Sequence, residues 1–186
     1  MRPAARTASC LTLLAVAAGC HRGGTPANAP VAGPRVSDAN IVAIVLAANN
    51  TDLSYARLVP SRSRNADVRA FADRMTTDHT ILNARTNDIA QRNRISPADD
   101  AISMDFRDHS AQRRDVLREL DGAKFDSVYA ANEVDYHTEL LAALNAVLGP
   151  QARNSELREF VMNLKPAVTA HLAHAEQLRA SLSKKK

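Results

Sequence analysis

The sequence predicts an all-α protein, a four-helix bundle with one additional shorter helix. Apolar residues recur every three or four positions over long stretches, which is the spacing of one helix face. Glycine and proline lie mostly at the ends of these stretches, and Ala and Leu dominate the apolar residues of a chain without Trp. At 186 residues, the chain has the size of one domain with a core large enough to fold alone.

Residues 1–19 are predicted to be an export signal. Arg2 and Arg6 form its positive start, an apolar run of residues 11–18 follows, and the small residues that precede Cys20 resemble a lipobox. We expect lipid on Cys20 to hold the protein at a membrane, on the periplasmic face of the bacterial outer membrane. Because Ala17 stands where Leu is usual, ordinary cleavage and release into the periplasm is the alternative. The apolar run is too short to predict a transmembrane helix.

The mature chain is divided into a tether, a domain and a tail. Residues 20–36 are rich in Gly, Pro and Ala without periodicity, which predicts a flexible tether. Residues 37–182 form the helical domain, and residues 183–186 form a short basic tail. With Cys10 in the signal and Cys20 lipidated, the domain has no thiol and therefore no disulfide.

The charge of the mature chain does not indicate nucleic-acid binding. Without Arg2 and Arg6, 22 basic side chains remain against 20 acidic ones, and the two signs are interspersed along every helix. This pattern is typical of a solvated mixed surface. The only partner predicted is therefore the membrane, and the sequence does not determine protein partners or the oligomeric state.

The first two helices are bounded by capping residues and a proline. Helix one begins at Ser37 or Asp38, either of which can cap its first turn, and it ends at Pro60–Arg64. Helix two is capped by Asn65 and runs to about Arg92. Helix three, at about residues 99–120, is shorter and more charged. Its apolar edge, expected to cover one side of the bundle, consists of Ile102, Phe106, Val116 and Leu120.

The last two helices are each marked by a proline. Helix four is predicted from about Phe125 to Leu148, where Gly149–Pro150 should stop it. Helix five runs from Asn154 or Ser155 to about Leu182, and Pro166 inside it should kink or divide it.

Polar residues interrupt the apolar face of each long helix. They are Asp52, His79, His137 and His171. In a helical bundle, such positions at similar height converge on the axis, and imidazole and carboxylate suit Zn(II), Fe(II), Cu(II) or Mn(II). The sequence therefore predicts a site for one transition-metal ion formed by these four side chains.

Three neighbouring side chains form a second set of candidate ligands, namely Asp78, Glu133 and His174. Glu133 with His137, and His171 with His174, have the spacing at which one helix can supply two ligands. Asp78 and His79 do not, because adjacent residues diverge by about 100° on a helix, so at most one of them points inward.

A metal-free alternative has similar support. The same histidines and Asp52 could hydrogen-bond one another and set the helix register as a buried polar network. No nucleophile–base pair, P-loop or dinucleotide motif is present, so no catalytic residue is predicted and the residues favour a non-enzymatic role. A redox enzyme that uses the same site is a third hypothesis.

The sequence also contains an internal similarity. Residues 71–82 and 129–140 align without gaps, which suggests a duplicated helical hairpin.

Three motifs resemble a known family. They are Phe71–Thr80 (FADRMTTDHT), Phe125–Asp126 with Tyr129 and His137, and Pro166 with His171–Leu172. Together, over residues 37–182, the chain is similar to a family of exported bacterial proteins known as a domain of unknown function, DUF4142, which is grouped with the ferritin-like folds. The resemblance implies a ferritin-like up-and-down bundle and a cell-envelope location, but no settled activity.

The residues depart from the di-iron pattern of ferritin-like proteins. That pattern has a Glu on each of two helices and Glu-x-x-His on the other two. Here Asp52 stands where a Glu is expected, and Thr76 and Val134 lie three residues before His79 and His137. These departures favour a mononuclear or structural metal site, or none, over an oxidative di-iron centre.

Overall fold

Helices occupy nearly all of residues 35–184, the part of the chain that the computed structural model describes. No strand is present within these residues, so the all-α prediction is confirmed. The predicted signal, Cys20, nearly all of the tether and the last two residues of the tail lie outside this range. None of the described helices has the length and apolar character that a membrane span needs. The helices are α1 (Asp38–Ala56), α2 (Val59–Arg62), α3 (Ala66–Arg92), α4 (Ala101–Arg118), α5 (Gly122–Ala143), α6 (Gly149–Gln151) and α7 (Ser155–Lys184).

The predicted capping residues begin three of the long helices. The Ser37 hydroxyl accepts from the Asn40 amide at 3.2 Å, and the Asn40 side chain accepts from the Ser37 amide at 3.0 Å, which is a reciprocal capping box. Asn65 accepts from amides in the first turn of α3, and Asn154 does so for α7. Each side chain pairs backbone donors that would otherwise be unsatisfied.

Helix α1 ends earlier than the sequence predicts, at Ala56 instead of near Pro60. A proline ring clashes with the carbonyl four residues before it and brings no amide hydrogen, so Pro60 prevents the helix from continuing past Ala56. Pro60 lies instead in the first turn of the short helix α2, where a missing amide hydrogen costs little.

Helical backbone continues past the predicted stop at Gly149–Pro150. Residues Leu144–Leu148 form a π-helical turn in which the Gly149 amide donates to the Leu144 carbonyl, and Pro150 lies in the first turn of α6. A Cβ at Gly149 would lie 2.9 Å from Met162 Sδ and 3.0 Å from the Leu144 carbonyl. The absence of a side chain therefore permits the close approach of α7.

Helix α7 is continuous through Pro166, which does not divide it. Pro166 cannot donate to the Met162 carbonyl. Both residues are exposed, Met162 to 45%, so water can reach that carbonyl.

The long helices form a bundle around a common core. Helix α1 packs against α3 and α4, α3 also packs against α7, and α7 packs against α5. Asn50 pairs with Asn83, and Asp52 lies against His79, so α1 and α3 run antiparallel. Along the apolar edge predicted at α4, Ile102, Phe106 and Leu120 pack against the core as predicted. Leu117 is buried, however, whereas Val116 is 57% exposed. The prediction of Val116 as part of the apolar edge is therefore wrong.

Candidate metal centre

Five ionisable side chains converge in the core, from four helices. Asp52 comes from α1, His79 from α3, Glu133 and His137 from α5, and His171 from α7, and none of the five residues is more than 4% exposed. The ring centroids lie 5.4 Å apart for His79 and His171, 5.3 Å for His137 and His171, and 6.1 Å for His79 and His137. The structure thus brings the four predicted primary residues and Glu133 to one level of the bundle.

The atoms that could bind a metal are close enough to share one ion. One nitrogen from each of His79, His137 and His171 lies within 4.8 Å of the other two. Ligand atoms of Asp52, Glu133 and His137 form a second such group. Oδ2 of Asp52 lies 3.1 Å from His79 Nε2 and 3.4 Å from His137 Nε2, so this carboxylate borders the imidazole group.

Each imidazole has its other nitrogen held by an oxygen outside the group. Nδ1 of His79 lies 2.9 Å from Asn49 Oδ1, and Nδ1 of His137 lies 2.8 Å from the Glu133 carbonyl. Nε2 of His171 lies 2.9 Å from Asp78 Oδ2. Because these oxygens accept hydrogen bonds, a neutral ring with its proton on the outer nitrogen keeps a lone pair on the inner nitrogen. For His79 and His137 the inner nitrogen lies near Asp52 Oδ2, so a proton on that nitrogen has an acceptor as well.

The inner atoms have no hydrogen-bond partner among residues 35–184. These atoms are Nε2 of His79, Nε2 of His137, Nδ1 of His171 and both carboxylate oxygens of Asp52 and of Glu133. Of these atoms, His79 Nε2 and Asp52 Oδ2 lie 3.1 Å apart, so attraction between a protonated ring and the carboxylate could offset part of their burial. Burying an unpaired polar atom costs about 1–3 kcal/mol. A cation placed among these atoms would satisfy them together, so the residues fit a metal ion.

Burial sets the protonation of the group. It lowers the pKa of His137 to about 4 and also lowers the pKa of His171, which favours the neutral imidazole that binds metals. Burial alone would raise the pKa of Asp52, but attraction to the three histidines outweighs it and lowers the pKa of that carboxyl. Burial, and then repulsion by Asp52, raise the pKa of Glu133 well above its ordinary value. Asp52 is thus the ionised carboxylate of the two in this group.

The second set of predicted residues is distributed over three positions. Glu133 lies inside the group, as described above. The Asp78 side chain is 30% exposed and accepts from both His171 and Arg74 Nε, at 2.9 and 3.1 Å, so it holds the His171 ring from outside the group. His174 is exposed, with its ring 4.9 Å from that of Phe71, and the structure does not bring it into the group.

Sequence reasoning missed Asn49, which is 4% exposed and holds His79 in orientation. The available signal was its spacing, since Asn49 lies three residues before Asp52 and so shares its face of α1.

A comparison with known protein families finds a match that spans most of the chain. A family model described as "Domain of unknown function (DUF4142)" matches residues 23–178. No match was found among curated proteins or among solved structures. Because the family model covers most of the chain, the protein belongs to this family, the domain of unknown function DUF4142.

Proposed function

We propose that the protein binds one divalent transition-metal ion through His79, His137, His171 and Asp52. Its role would be metal handling or stress protection in the bacterial cell envelope. The observation that carries the proposal is the arrangement of the three rings. Each has one nitrogen within hydrogen-bond distance of an oxygen and the other nitrogen buried without a hydrogen-bond partner among residues 35–184, and one nitrogen of each ring lies within 4.8 Å of a nitrogen of the other two. Metal-ligating histidines in proteins have this combination of partners.

The donor atoms indicate the class of metal. Three imidazole nitrogens and a carboxylate suit Zn(II), Cu(II), Fe(II) or Mn(II). Both cysteines of the chain lie outside residues 35–184, so the described domain offers no thiolate and a site of the Cu(I) type has no support. Glu133 can add a second oxygen ligand once its proton is displaced.

The cellular setting of the proposal rests on the sequence. The export signal and Cys20 support lipid attachment and a position on the periplasmic face of the outer membrane. The ferritin-like grouping of the family supports an up-and-down four-helix bundle around the metal. In this interpretation, the bundle is an envelope domain that holds the ion away from solvent, since the ligands are nearly fully buried.

A metal-free polar network is the second candidate. Oδ2 of Asp52 lies near Nε2 of both His79 and His137, so a proton on either ring would complete a buried ion pair. In that case the group would set the helix register and bind nothing.

Metal content tests the proposal directly. The full chain is purified without a metal-affinity step, and its metals are measured in the wild type and in His137→Leu. We expect close to one equivalent in the wild type and little in the variant, with added ion raising the wild-type Tm. At a free metal concentration 100 times the Kd, stabilisation is about 2.7 kcal/mol. His109→Leu is the matched control, because the His109 side chain on α4 is 53% exposed and lies outside the group.

Two results would favour the network instead. One is a wild type without metal whose Tm is unchanged by Zn(II), Cu(II), Fe(II) or Mn(II). The other is a metal-free His79→Leu variant as stable as the wild type or more so, because an apolar side chain can replace a buried polar pair without loss.

A further inference from the structure

One surface groove ends at a residue of the proposed metal centre. It is a cavity of about 280 Å³ between α3 and α7, and Asp78 and His171 lie among its lining residues. The rest of its wall comes from Arg74, Ile81, Leu82, Arg85 and Ala167. By contrast, the space beside His79 is about 10 Å³, has almost entirely apolar walls and is at the lower limit for a single water. A hydrated ion can therefore approach the centre from the groove but not past His79.

The exposure of the side chains decreases from the groove towards the buried group. The Asp78 side chain is 30% exposed, His171 is 4% exposed, and Asp52, His79, Glu133 and His137 are at most 1% exposed. The Asp78 carboxylate is the first anionic group met from solvent, and it is hydrogen-bonded to the outer nitrogen of His171. The other nitrogen of that ring, Nδ1, is buried without a hydrogen-bond partner among residues 35–184, and one nitrogen of His171 lies within 4.8 Å of a nitrogen of His79 and of His137. A single imidazole therefore links the groove to the interior.

We propose that this groove is the port through which a divalent transition-metal ion enters and leaves, with Asp78 as its first contact and His171 as the ligand that moves. The proposal rests on the proposed metal binding and adds a route to it. Breaking the Asp78–His171 hydrogen bond frees the ring to turn, whereas the other two imidazoles are held by partners inside the core.

The charges at the groove allow the port to be tested by a substitution that changes its charge and does not fill it. Arg74 and Asp78 form an ion pair, whereas Arg85 makes no ion pair with any residue of the range 35–184. The mouth thus carries one uncompensated positive charge, which repels a dication. A unit charge acting on a dication across about 10 Å of water changes its local concentration roughly fourfold. Salt near 0.1 M screens the effect, because its Debye length is about 10 Å.

The steric test compares two alanine-to-phenylalanine variants of the full chain. Metal is removed with a chelator, and Zn²⁺ loading and release are followed by competition with a chromophoric chelator. Ala167→Phe fills the groove and should slow both rates by about tenfold, with Kd unchanged, because the ion must then wait for local opening. Ala70→Phe lines a neighbouring groove between the same helices and should change neither rate. Ile81→Ala trims a side chain that is 48% exposed at the mouth and should speed both rates.

The electrostatic test compares two arginine variants in the same assay. Arg85→Gln should raise the rate of Zn²⁺ loading roughly fourfold at low ionic strength and much less at 0.5 M salt. Arg64→Gln, which removes an exposed arginine in the loop before α3 and outside the groove, should leave the rate unchanged.

The outcomes separate the port from metal binding itself. If wild-type protein takes up Zn²⁺ but Ala167→Phe and Ile81→Ala load at the wild-type rate, the port is wrong and the metal site stands. Equal effects of Arg85→Gln and Arg64→Gln would also overturn the port. If wild-type protein takes up no metal, both proposals fall. Circular-dichroism melting of each variant checks that the fold is retained, and Ile81→Ala keeps the steric test decisive if Ala167→Phe does not fold.

Discussion

Oδ1 of Asn49 lies 2.9 Å from Nδ1 of His79, and both side chains are buried. This contact holds the ring with Nε2 at 3.1 Å from Asp52 Oδ2. An amide that binds no metal itself therefore determines which nitrogen of His79 is available.

Replacing Asn49 should weaken metal binding without removing a ligand. We expect Asn49→Ala to lower the affinity for Zn²⁺ by about 10–100-fold, the usual cost of losing such a supporting partner. The measurement is a competition titration against a chelator of known affinity. Asn50→Ala is the control, because Asn50 is exposed and pairs with Asn83 at 2.8 Å on the surface. Equal losses in the two variants would contradict the role of Asn49.

The stability of the metal-free protein should depend on pH through His137. Burial lowers its pKa from 6.5 to about 4, so between these values the unfolded chain binds a proton that the folded protein does not. The free energy of unfolding should then rise with pH from about 4 to 6.5, by roughly 3 kcal/mol from this group. The contribution is complete above 6.5 and is lost as the pH falls towards 4.

Glu133 should make the free energy of unfolding fall as the pH rises, because its raised pKa makes the folded state hold a proton that the unfolded chain releases. The measurement is therefore urea unfolding in a Glu133→Gln background, with and without His137→Leu. The free energy of unfolding should rise clearly with pH in Glu133→Gln, and less in the double variant that also carries His137→Leu. Identical pH profiles would show that His137 does not contribute.

The Tyr136 hydroxyl should matter for stability and not for metal binding. It donates to the Ala48 carbonyl at 2.6 Å, while the Tyr136 ring packs edge-on 5.0 Å from that of His137. Tyr136→Phe keeps the ring and removes one buried hydrogen bond, which should cost about 1 kcal/mol in unfolding free energy. Zn²⁺ affinity should stay at the wild-type value, and its loss would instead place the hydroxyl in the site.

Substitution of two glycines should destabilise the fold for different reasons. Gly149→Ala places a methyl group 2.9 Å from Met162 Sδ and 3.0 Å from the Leu144 carbonyl, a crowding that should cost about 1–3 kcal/mol. Gly122→Ala meets no atom within 4 Å, but the residue has a φ of 57°, which costs a non-glycine residue about 1–2 kcal/mol. Denaturant unfolding measures both losses.

A second substitution separates the two glycine effects. Met162→Ala should recover part of the loss in Gly149→Ala, since it removes one of the two crowding atoms and leaves the Leu144 carbonyl. The same substitution should recover nothing in Gly122→Ala. Equal recovery in both backgrounds would contradict the crowding at Gly149.

The positions of the candidate ligands within each helix could be read from the sequence. Spacing of three and four residues placed Asp52, His79, His137 and His171 on buried faces, and the roughly 100° between neighbours explained why His79 points inward while Asp78 faces outward. All four residues are at most 4% exposed. Local periodicity is sufficient for this, because it does not depend on the neighbouring helices.

The relative heights of the helices could not be read in this way. The spacing predicts His174 as a candidate ligand in the same way as Glu133, yet His174 is exposed beside Phe71. The rotation and level at which α5 and α7 dock decide which residue, one turn from a histidine, faces the group. Tertiary packing sets both. Helix α4 shows the same limit at one position, since Leu117 is buried where Val116 was expected. At Gly149 and Pro150 the local stop signals were overridden by a π-helical turn.

The four primary side chains come one each from α1, α3, α5 and α7. Asp52 and His171 therefore belong to the first and the last long helix of the domain. A growing chain cannot assemble the full set until α7 has left the ribosome and docked, and a proteolytic fragment that lacks either end loses a donor. Tight metal retention would accordingly report that the chain is intact from one terminal helix to the other.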